Sequence, residues 1–358
     1  MNKQIAVLSG DGIGPEIMDE AIKVLKTIEN VFGHSFIYTY ALIGGEAWDA
    51  FGSHFPEETA KICKDADAIL FGSVGGAIEG QHSPKWLNCE KNSILAIRKV
   101  LGLMCNLRPV QSFKGASNDV DLMCVRELSE DVYFGPHETI YEQGERVARD
   151  VMIYHESTIR AIAHQAFQIA MSRRKKVTSV DKANVLDCSK LWRAVVTEVS
   201  KEYPECTLDH MLVDNCAMQL MKNPTSFDVL LMPNLFGDIL SDLASVLGGS
   251  LGILPSASFN SQGIGFYEPA GGSAPDIAGK GIANPIGQIL SAALMLKHSF
   301  GMNEEHDAIV DAVKRAVQEG YRTPDIADGG PHCSTAEMGK AIIKFISKKK
   351  IKNEKKHE

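Results

Sequence analysis

The sequence predicts an α/β protein with a largely parallel core. Two observations carry that expectation: apolar runs of strand length alternate with segments of helical period, and the first such run feeds through a glycine turn into a helix. A third sets the scale, because single cores stop growing near ~250–300 residues and a chain of 358 residues suits two.

Ile5-Ala6-Val7-Leu8 reads as a strand. Gly10-Asp11-Gly12-Ile13-Gly14-Pro15 then turns the chain into a helix expected over residues 15–28, and Pro15 suits its first turn, where a missing N–H costs nothing. The glycines fall at x, x+2 and x+4 with proline at x+5, so the dinucleotide pattern G-x-G-x-x-G is not met. Residues 36–41 read as a strand, 57–64 as a helix, 68–71 as a buried strand and 93–101 as a helix. Residues 121–128 read as a strand, 156–172 as a helix and 176–180 as a strand; 191–203, 209–213, 227–232 and 236–247 continue the alternation. No internal repeat or low-complexity linker marks a domain boundary.

A hydrophobic content of 44% with 23% charged residues is ordinary for a soluble globular enzyme. The net charge of -8 argues against a nucleic-acid partner, since phosphate binding needs a basic face. The basic run Lys348-Lys349-Lys350-Ile351-Lys352, with Lys355 and Lys356, reads as a solvated, frayed tail. Eight cysteines stand at irregular spacings without a C-x-x-C pair, and several, such as Cys124, lie in apolar segments. They read as reduced core residues rather than disulfides or a zinc site. Met1-Asn2-Lys3-Gln4 leads into a strand without a signal-peptide pattern, and no stretch offers ~20 apolar residues for a membrane span. The expected location is the cytoplasm, with no membrane partner.

The segment from Leu235 to Leu254 carries the most chemistry. Its ionisable side chains are Asp238 and Asp242 alone, four residues apart and therefore on one helix face with Cβ atoms ~5–6 Å from each other. Like charges in apolar surroundings repel strongly, and no basic residue nearby in sequence offsets them. A solvated acid pair is one reading; a hard divalent cation, Mg²⁺ or Mn²⁺, is the other, and the apolar surroundings favour it. Asp214 leaves the strand-like Met211-Leu212-Val213 and reads equally as a ligand group at a strand end or as an N-cap.

Arg98, Arg108 and Arg126 each lie among apolar residues. Singly each reads as half of a structural ion pair, with Glu127 the obvious partner for Arg126; together they would suit a substrate with two carboxylates. Lys182, after the strand 177–180, is a candidate base.

Taken together, Gly10-Asp11-Gly12-Ile13-Gly14-Pro15-Glu16, Val180-Asp181-Lys182-Ala183-Asn184-Val185, Asn234-x-x-Gly237-Asp238-x-x-x-Asp242 and Gly272-Ser273-Ala274-Pro275-Asp276-Ile277-Ala278-Gly279 resemble the β-decarboxylating dehydrogenase family of isocitrate, isopropylmalate, homoisocitrate and tartrate/malate enzymes. The resemblance covers nearly the whole chain. It implies an open, largely parallel α/β sheet that is not a Rossmann fold. The implied first domain combines residues 1–103 and 249–358, and the second, 104–248, makes the dimer contact. It also implies roles: Arg98, Arg108 and Arg126 for substrate carboxylates; Asp214, Asp238 and Asp242 for the metal; Tyr133 and Lys182 for catalysis. Lys182 and Asp214 would reach into the neighbouring subunit's site, making the enzyme a homodimer. Ile13, Glu268, Gly271, Gly272, Ser273, Ala274, Asp276, Ile277 and Asn284 match the NAD site, and Asp276 would favour NAD by repelling a 2′-phosphate. Ile94 and Leu95 resemble the apolar pair that receives an isopropyl group, with Glu90 beside it and Val185 also at the substrate. The expectation is oxidative decarboxylation of an isopropyl-bearing 2-hydroxy diacid in leucine synthesis. A homoisocitrate or D-malate/tartrate enzyme, or a non-catalytic regulatory subunit, is the alternative. Three departures stand out: an added stretch at residues 77–83, Ser129-Glu130-Asp131 where relatives often have Thr-Gly-Gly, and Met232-Pro233 before Asn234.

Overall fold

The computed structural model describes residues 2–112 and 120–354. Strand β1 (Asn2–Gly10) turns into helix α1 (Gly14–Phe32), followed by β2 (Ser35–Tyr40), α2 (Gly45–Phe51), α3 (Glu57–Asp65) and β3 (Ala68–Ser73). A π-turn, Lys91–Leu95, opens α4 (Ala96–Leu101). Next come β4 (Cys105–Gln111), β5 (Asp121–Glu127) and a hairpin of β6 (His137–Glu142) and β7 (Glu145–Asp150). Then follow α5 (Glu156–Met171), β8 (Lys176–Asp181), α6 (Asp187–Ser200), β9 (Thr207–Leu212), α7 (Val213–Lys222), β10 (Val229–Met232) and α8 (Asn234–Gly248). The remaining elements are β11 (Pro255–Phe259), β12 (Gly265–Pro269), α9 (Ile286–His298), α10 (Asn303–Gln318) and α11 (Thr335–Glu354).

The chain folds as two compact units. One contains the chain up to Leu101 and from Gly248 onward; the other contains Gly102–Ser112 and the later chain as far as Leu247. In the first unit the strand order is β2-β1-β3-β12-β11, parallel except for β11 against β12. Ile5, Ala6, Val7 and Leu8 are all buried, which requires cover on both faces of β1 and explains the unbroken apolar run. Helix α9 is buried from Ile286 to Leu296 and packs against β11, β12, α1 and α10, as a helix apolar all round must. Helix α1 is longer than its apolar pattern suggested and ends at Gly33, whose φ of 75° suits the left-handed cap.

In the second unit the order is β4-β5-β10-β8-β9; β4 and β5 are antiparallel and the other neighbours parallel. Helix α5 packs on β5, β8 and β10, and α6 on β8 and β9. Trp192 of α6 is fully buried, and its indole N–H donates to Ser179 Oγ at 3.1 Å. This order sets the carboxyl ends of β5, β10 and β8 side by side, where Arg126, Asn234 and Lys182 leave the sheet.

The helix expected over residues 93–101 begins as the π-turn, and the strand expected over 227–232 begins at Val229. Strands β4, β11 and β12 and the β6–β7 hairpin escape the apolar pattern, because β11 is built of Pro-Ser-Ala-Ser-Phe and both strands of the hairpin are mostly exposed. The frayed tail expected from Lys348 is corrected: the helical backbone of α11 runs to Glu354, as a lysine-rich segment readily allows. Lys355 and Lys356 lie outside the described residues. The added stretch at residues 77–83 contains a 3-10 turn, Ile78–Gly80, and the Trp86 indole packs against Gly76 and Gly80. None of the eight cysteines forms a disulfide, and Cys63, Cys89, Cys105, Cys124 and Cys216 are buried.

Candidate active site

The acid pair and its counter-charges meet through two regular periodicities. In the β4–β5 ladder Asn106 stands opposite Arg126 and Arg108 opposite Cys124, two residues before Arg126. Opposed residues share a face and strand side chains alternate, so both guanidinium groups leave the same face. Facing them is α8, with Asp238 and Asp242 one turn apart.

The Arg126 guanidinium, 1% exposed, forks onto Asn234 Oδ1 from Nε (3.1 Å) and Nη2 (2.8 Å), while its Nη1 donates to Asp238 Oδ1. Arg108 Nη1 donates to Asp242 Oδ1 and Ser241 Oγ, both at 2.8 Å, and its Nε donates to Asn106 Oδ1 at 3.0 Å. Tyr133 Oη donates to Asp238 Oδ2 at 2.6 Å, and its ring lies 5.5 Å from the Arg126 guanidinium carbon. Burial pushes the Asp242 carboxyl above its ordinary range; Arg108 pulls it back, Asp238 raises it and Arg126 lowers it.

The ion pair suspected between Arg126 and Glu127 is corrected. Adjacent strand residues point to opposite faces, and Glu127 instead accepts from Ser129 N and Oγ and from Glu130 N. The absence of a nearby counter-charge holds only along the chain, since folding supplies Arg108 and Arg126.

Gly237 belongs to the same construction. A Cβ there would lie 2.7 Å from Arg126 Cγ, so only glycine lets α8 approach the arginine this closely.

Lys182 and Asp214 form a second pair in this unit, with Lys182 Nζ 3.0 Å from Asp214 Oδ1. The lysine holds the Asp214 carboxyl below its usual range. The N-cap alternative for Asp214 is corrected: the cap of α7 is Leu212, and Asp214 stands in the first turn, where the helix dipole favours an acid. Val185, exposed, donates its N–H to Lys182 O at 2.9 Å. No group of three or more His, Cys, Asp or Glu able to hold a metal occurs among the described residues, so Asp214 does not join Asp238 and Asp242 within one chain.

The first unit carries the other expected residues. Arg98 Nη2 donates to Glu268 Oε1 at 3.2 Å, while its buried Nε has no partner among the described residues. Ile94 and Leu95 are half-buried on the π-turn, and Glu90 is exposed, with its carboxylate against Gly75. The Ile13 N–H donates to Ser273 O at 2.8 Å, joining the glycine turn to the loop that carries Gly271, Gly272, Ser273, Ala274, Asp276 and Ile277. Asp276 is exposed and Ile277 half-buried. Asn284 at the end of that loop is buried; its Nδ2 donates to Asp325 Oδ2 at 3.0 Å and its Oδ1 caps Ile286 N.

Sequence reasoning missed Asn234 as the acceptor of the Arg126 fork, and Asp11, whose buried carboxylate accepts from Gly45 N, Glu46 N and Gly75 N. Both stand in quoted motifs, yet nothing local shows what they hold. Chemically, Asp238 and Asp242 offer only carboxylate oxygens, partly exposed and pinned by buried arginines, a donor set that fits a hard divalent cation.

A profile of the isocitrate/isopropylmalate dehydrogenase family matches residues 4–342. The chain is 52% identical over 360 residues to the 3-isopropylmalate dehydrogenase of Haemophilus influenzae, covering 96% of this chain and 99% of that one. It is 53% identical over 361 residues to the 3-isopropylmalate dehydrogenase of Thermotoga maritima, with coverage of 96% and 99%. Among solved structures, the isocitrate dehydrogenase of Methylococcus capsulatus superposes with a TM-score of 0.87 at 36% identity, covering 96% of this chain and 99% of that one.

Proposed function

The chain belongs to the isocitrate/isopropylmalate dehydrogenase family, and from that premise we propose that it oxidatively decarboxylates 3-isopropylmalate to 2-oxo-4-methylpentanoate with reduction of NAD, in leucine synthesis. The observation that carries the reading is the acid pair of α8 held by two buried arginines beside a tyrosine hydroxyl, in a chain half identical to enzymes of that name.

Asp238 and Asp242, with Asp214 of the partner subunit, would hold a magnesium or manganese ion, which would supply Lewis-acid chemistry at the substrate hydroxyl. NAD, bound by Ile13 and the Glu268-to-Asn284 loop, supplies the hydride acceptor. Arg98, Arg108 and Arg126 bind the substrate carboxylates through their guanidinium groups. Ile94 and Leu95 take the isopropyl group, with Glu90 and Val185 at its margins. Lys182 Nζ, as the neutral amine or through a water, takes the hydroxyl proton as hydride leaves, and Asp214 at 3.0 Å orients it. Once carbon dioxide has departed, Tyr133 Oη gives a proton to the carbon that lost it.

We assign a homodimer with shared sites. In its support, Asp214 stands apart from Asp238 and Asp242 in one chain, while Met218 and Met221 of α7 and Ile239 and Val246 of α8 are exposed apolar residues. No described helix is long and apolar enough to cross a membrane. Eight unpaired thiols fit a reducing compartment, the cytoplasm.

Initial rates with 3-isopropylmalate, isocitrate, homoisocitrate and D-malate, each with NAD and NADP, test the assignment. Fastest NADH formation with 3-isopropylmalate is expected. Faster turnover of another diacid, or activity only with a different partner chain, refutes it.

A further inference from the structure

The departure Glu130-Asp131 marks a device the family reading does not use. Asp131 is 1% exposed and has a φ of 80°, a left-handed conformation that favours glycine and strains an aspartate. Such a strained residue persists only where its surroundings over-determine it.

Here they do. Asp131 Oδ1 accepts from Val132 N at 2.7 Å. Its Oδ2 accepts from Leu235 N at 3.0 Å, in the first turn of α8, and lies 3.1 Å from Tyr154 Oη. The Asp131 carbonyl accepts from Gly135 N at 3.2 Å, closing the loop around Tyr133. Tyr154 Oη in turn accepts from Asn234 N at 2.8 Å. The neighbouring Glu130 anchors the other side: its carboxylate accepts from His155 N at 2.8 Å and Thr158 Oγ1 at 2.9 Å at the start of α5, and its carbonyl accepts from Asn234 Nδ2 at 3.0 Å. These two acids therefore dock one loop onto the amino ends of α5 and α8, where helix dipoles favour carboxylates.

We propose that Asp131 is a positioning residue: it fixes the Tyr133 loop to the helix that carries Asp238, setting the 2.6 Å contact between Tyr133 Oη and Asp238 and so the place from which the tyrosine proton is delivered. The proposal rests on Tyr133 being the proton donor of the reaction above. Asp131 touches no reacting atom; it acts through Tyr133.

The test uses Asp131→Ala, Asp131→Asn and Asp131→Gly, each made in the wild-type and the Tyr133→Phe backgrounds, with thermal melting to confirm folding. Asp131→Ala lowers kcat on the order of 10- to 100-fold while the KM for 3-isopropylmalate stays within about twofold, the signature of a displaced catalytic group. In the Tyr133→Phe background the same change costs less than about threefold, since residues acting through one another are not additive. Asparagine recovers most of the rate, because its carboxamide oxygen still accepts from Leu235 N. Glycine relieves the backbone and melts no lower than alanine, yet does not restore kcat. Equal losses from Asp131→Ala in both backgrounds, or full kcat in Asp131→Gly, overturn the proposal while leaving Tyr133 in its role. Wild-type kcat in Tyr133→Phe alone refutes the donor reading itself, and the positioning proposal falls with it.

Discussion

Replacing Gly237 with alanine should weaken the protein, although alanine in a helix is normally worth about 1 kcal/mol over glycine. The new Cβ would lie 2.7, 3.0 and 3.3 Å from Arg126 Cγ, Cβ and Cδ. These are the root atoms of a buried side chain whose far end is pinned on Asn234 and Asp238, so the arginine cannot swing clear without releasing one of them. Overpacking of this kind costs about 1–3 kcal/mol. A released charge-assisted hydrogen bond adds about 1.5 kcal/mol, and after the helical gain about 1.5–3.5 kcal/mol of net destabilisation remains. For a unit of this size that lowers the melting temperature by roughly 3–14 °C. Displacing Arg126 also disturbs Asp238, so kcat/KM should fall on the order of 10- to 100-fold. Thermal melts and initial rates on the same preparation measure both. A variant that melts at or above the wild type with unchanged kcat/KM would show that Arg126 has room to move, and the argument for this glycine would be wrong.

Arg126→Lys keeps the charge but loses the fork, leaving the buried Asn234 Oδ1 short of a donor; a loss of about 1–3 kcal/mol in a denaturant titration is expected, and an unchanged midpoint contradicts it. Because burial raises the Asp242 carboxyl, protons compete with the metal at a higher pH than an ordinary aspartate would allow. The half-saturating magnesium concentration should climb as pH falls, beginning above the usual aspartate range, and a profile flat down to that range would refute the sign. Without metal the same raised group stabilises the protein at low pH and loses that contribution as pH rises through its folded value. Adding manganese at about a hundredfold over its Kd should stabilise the fold by roughly 2.7 kcal/mol, visible as a raised melting temperature that a chelator reverses. Asp276→Asn should raise the NADP-to-NAD ratio of kcat/KM by about fivefold or more, because a like charge no longer faces the 2′-phosphate; no change in the ratio removes Asp276 from cofactor choice.

Local chemistry made part of this protein legible in advance. The unbroken run Ile5 to Leu8 announced a strand; its burial on both faces is what an apolar run that alternates sides must have, and the fold supplies the cover. The spacing of Asp238 and Asp242 announced a shared helix face for the same reason of period. Strand β11, with two serines in its five residues, gave no such sign; its serines are buried, and the Ser256 N–H donates to Ser291 Oγ of α9, a partner no local pattern reveals. Glu130 and Asp131 likewise showed in the sequence only as a departure from Thr-Gly-Gly, whereas in the fold they anchor a loop to two helix ends.

What the sequence determined by itself was everything set by neighbours a few residues apart: the alternation of elements, the acid pair on one helical turn, and the motifs whose order marks the family. What only the tertiary structure decided was who neutralises whom. Arg126 meets Asp238 across 112 positions and Arg108 meets Asp242 across 134, through a strand pairing that brings both guanidinium groups to one face. The reason is physical: helix and strand periods act over a handful of residues, whereas a buried charge is satisfied by whatever the folded chain carries to it.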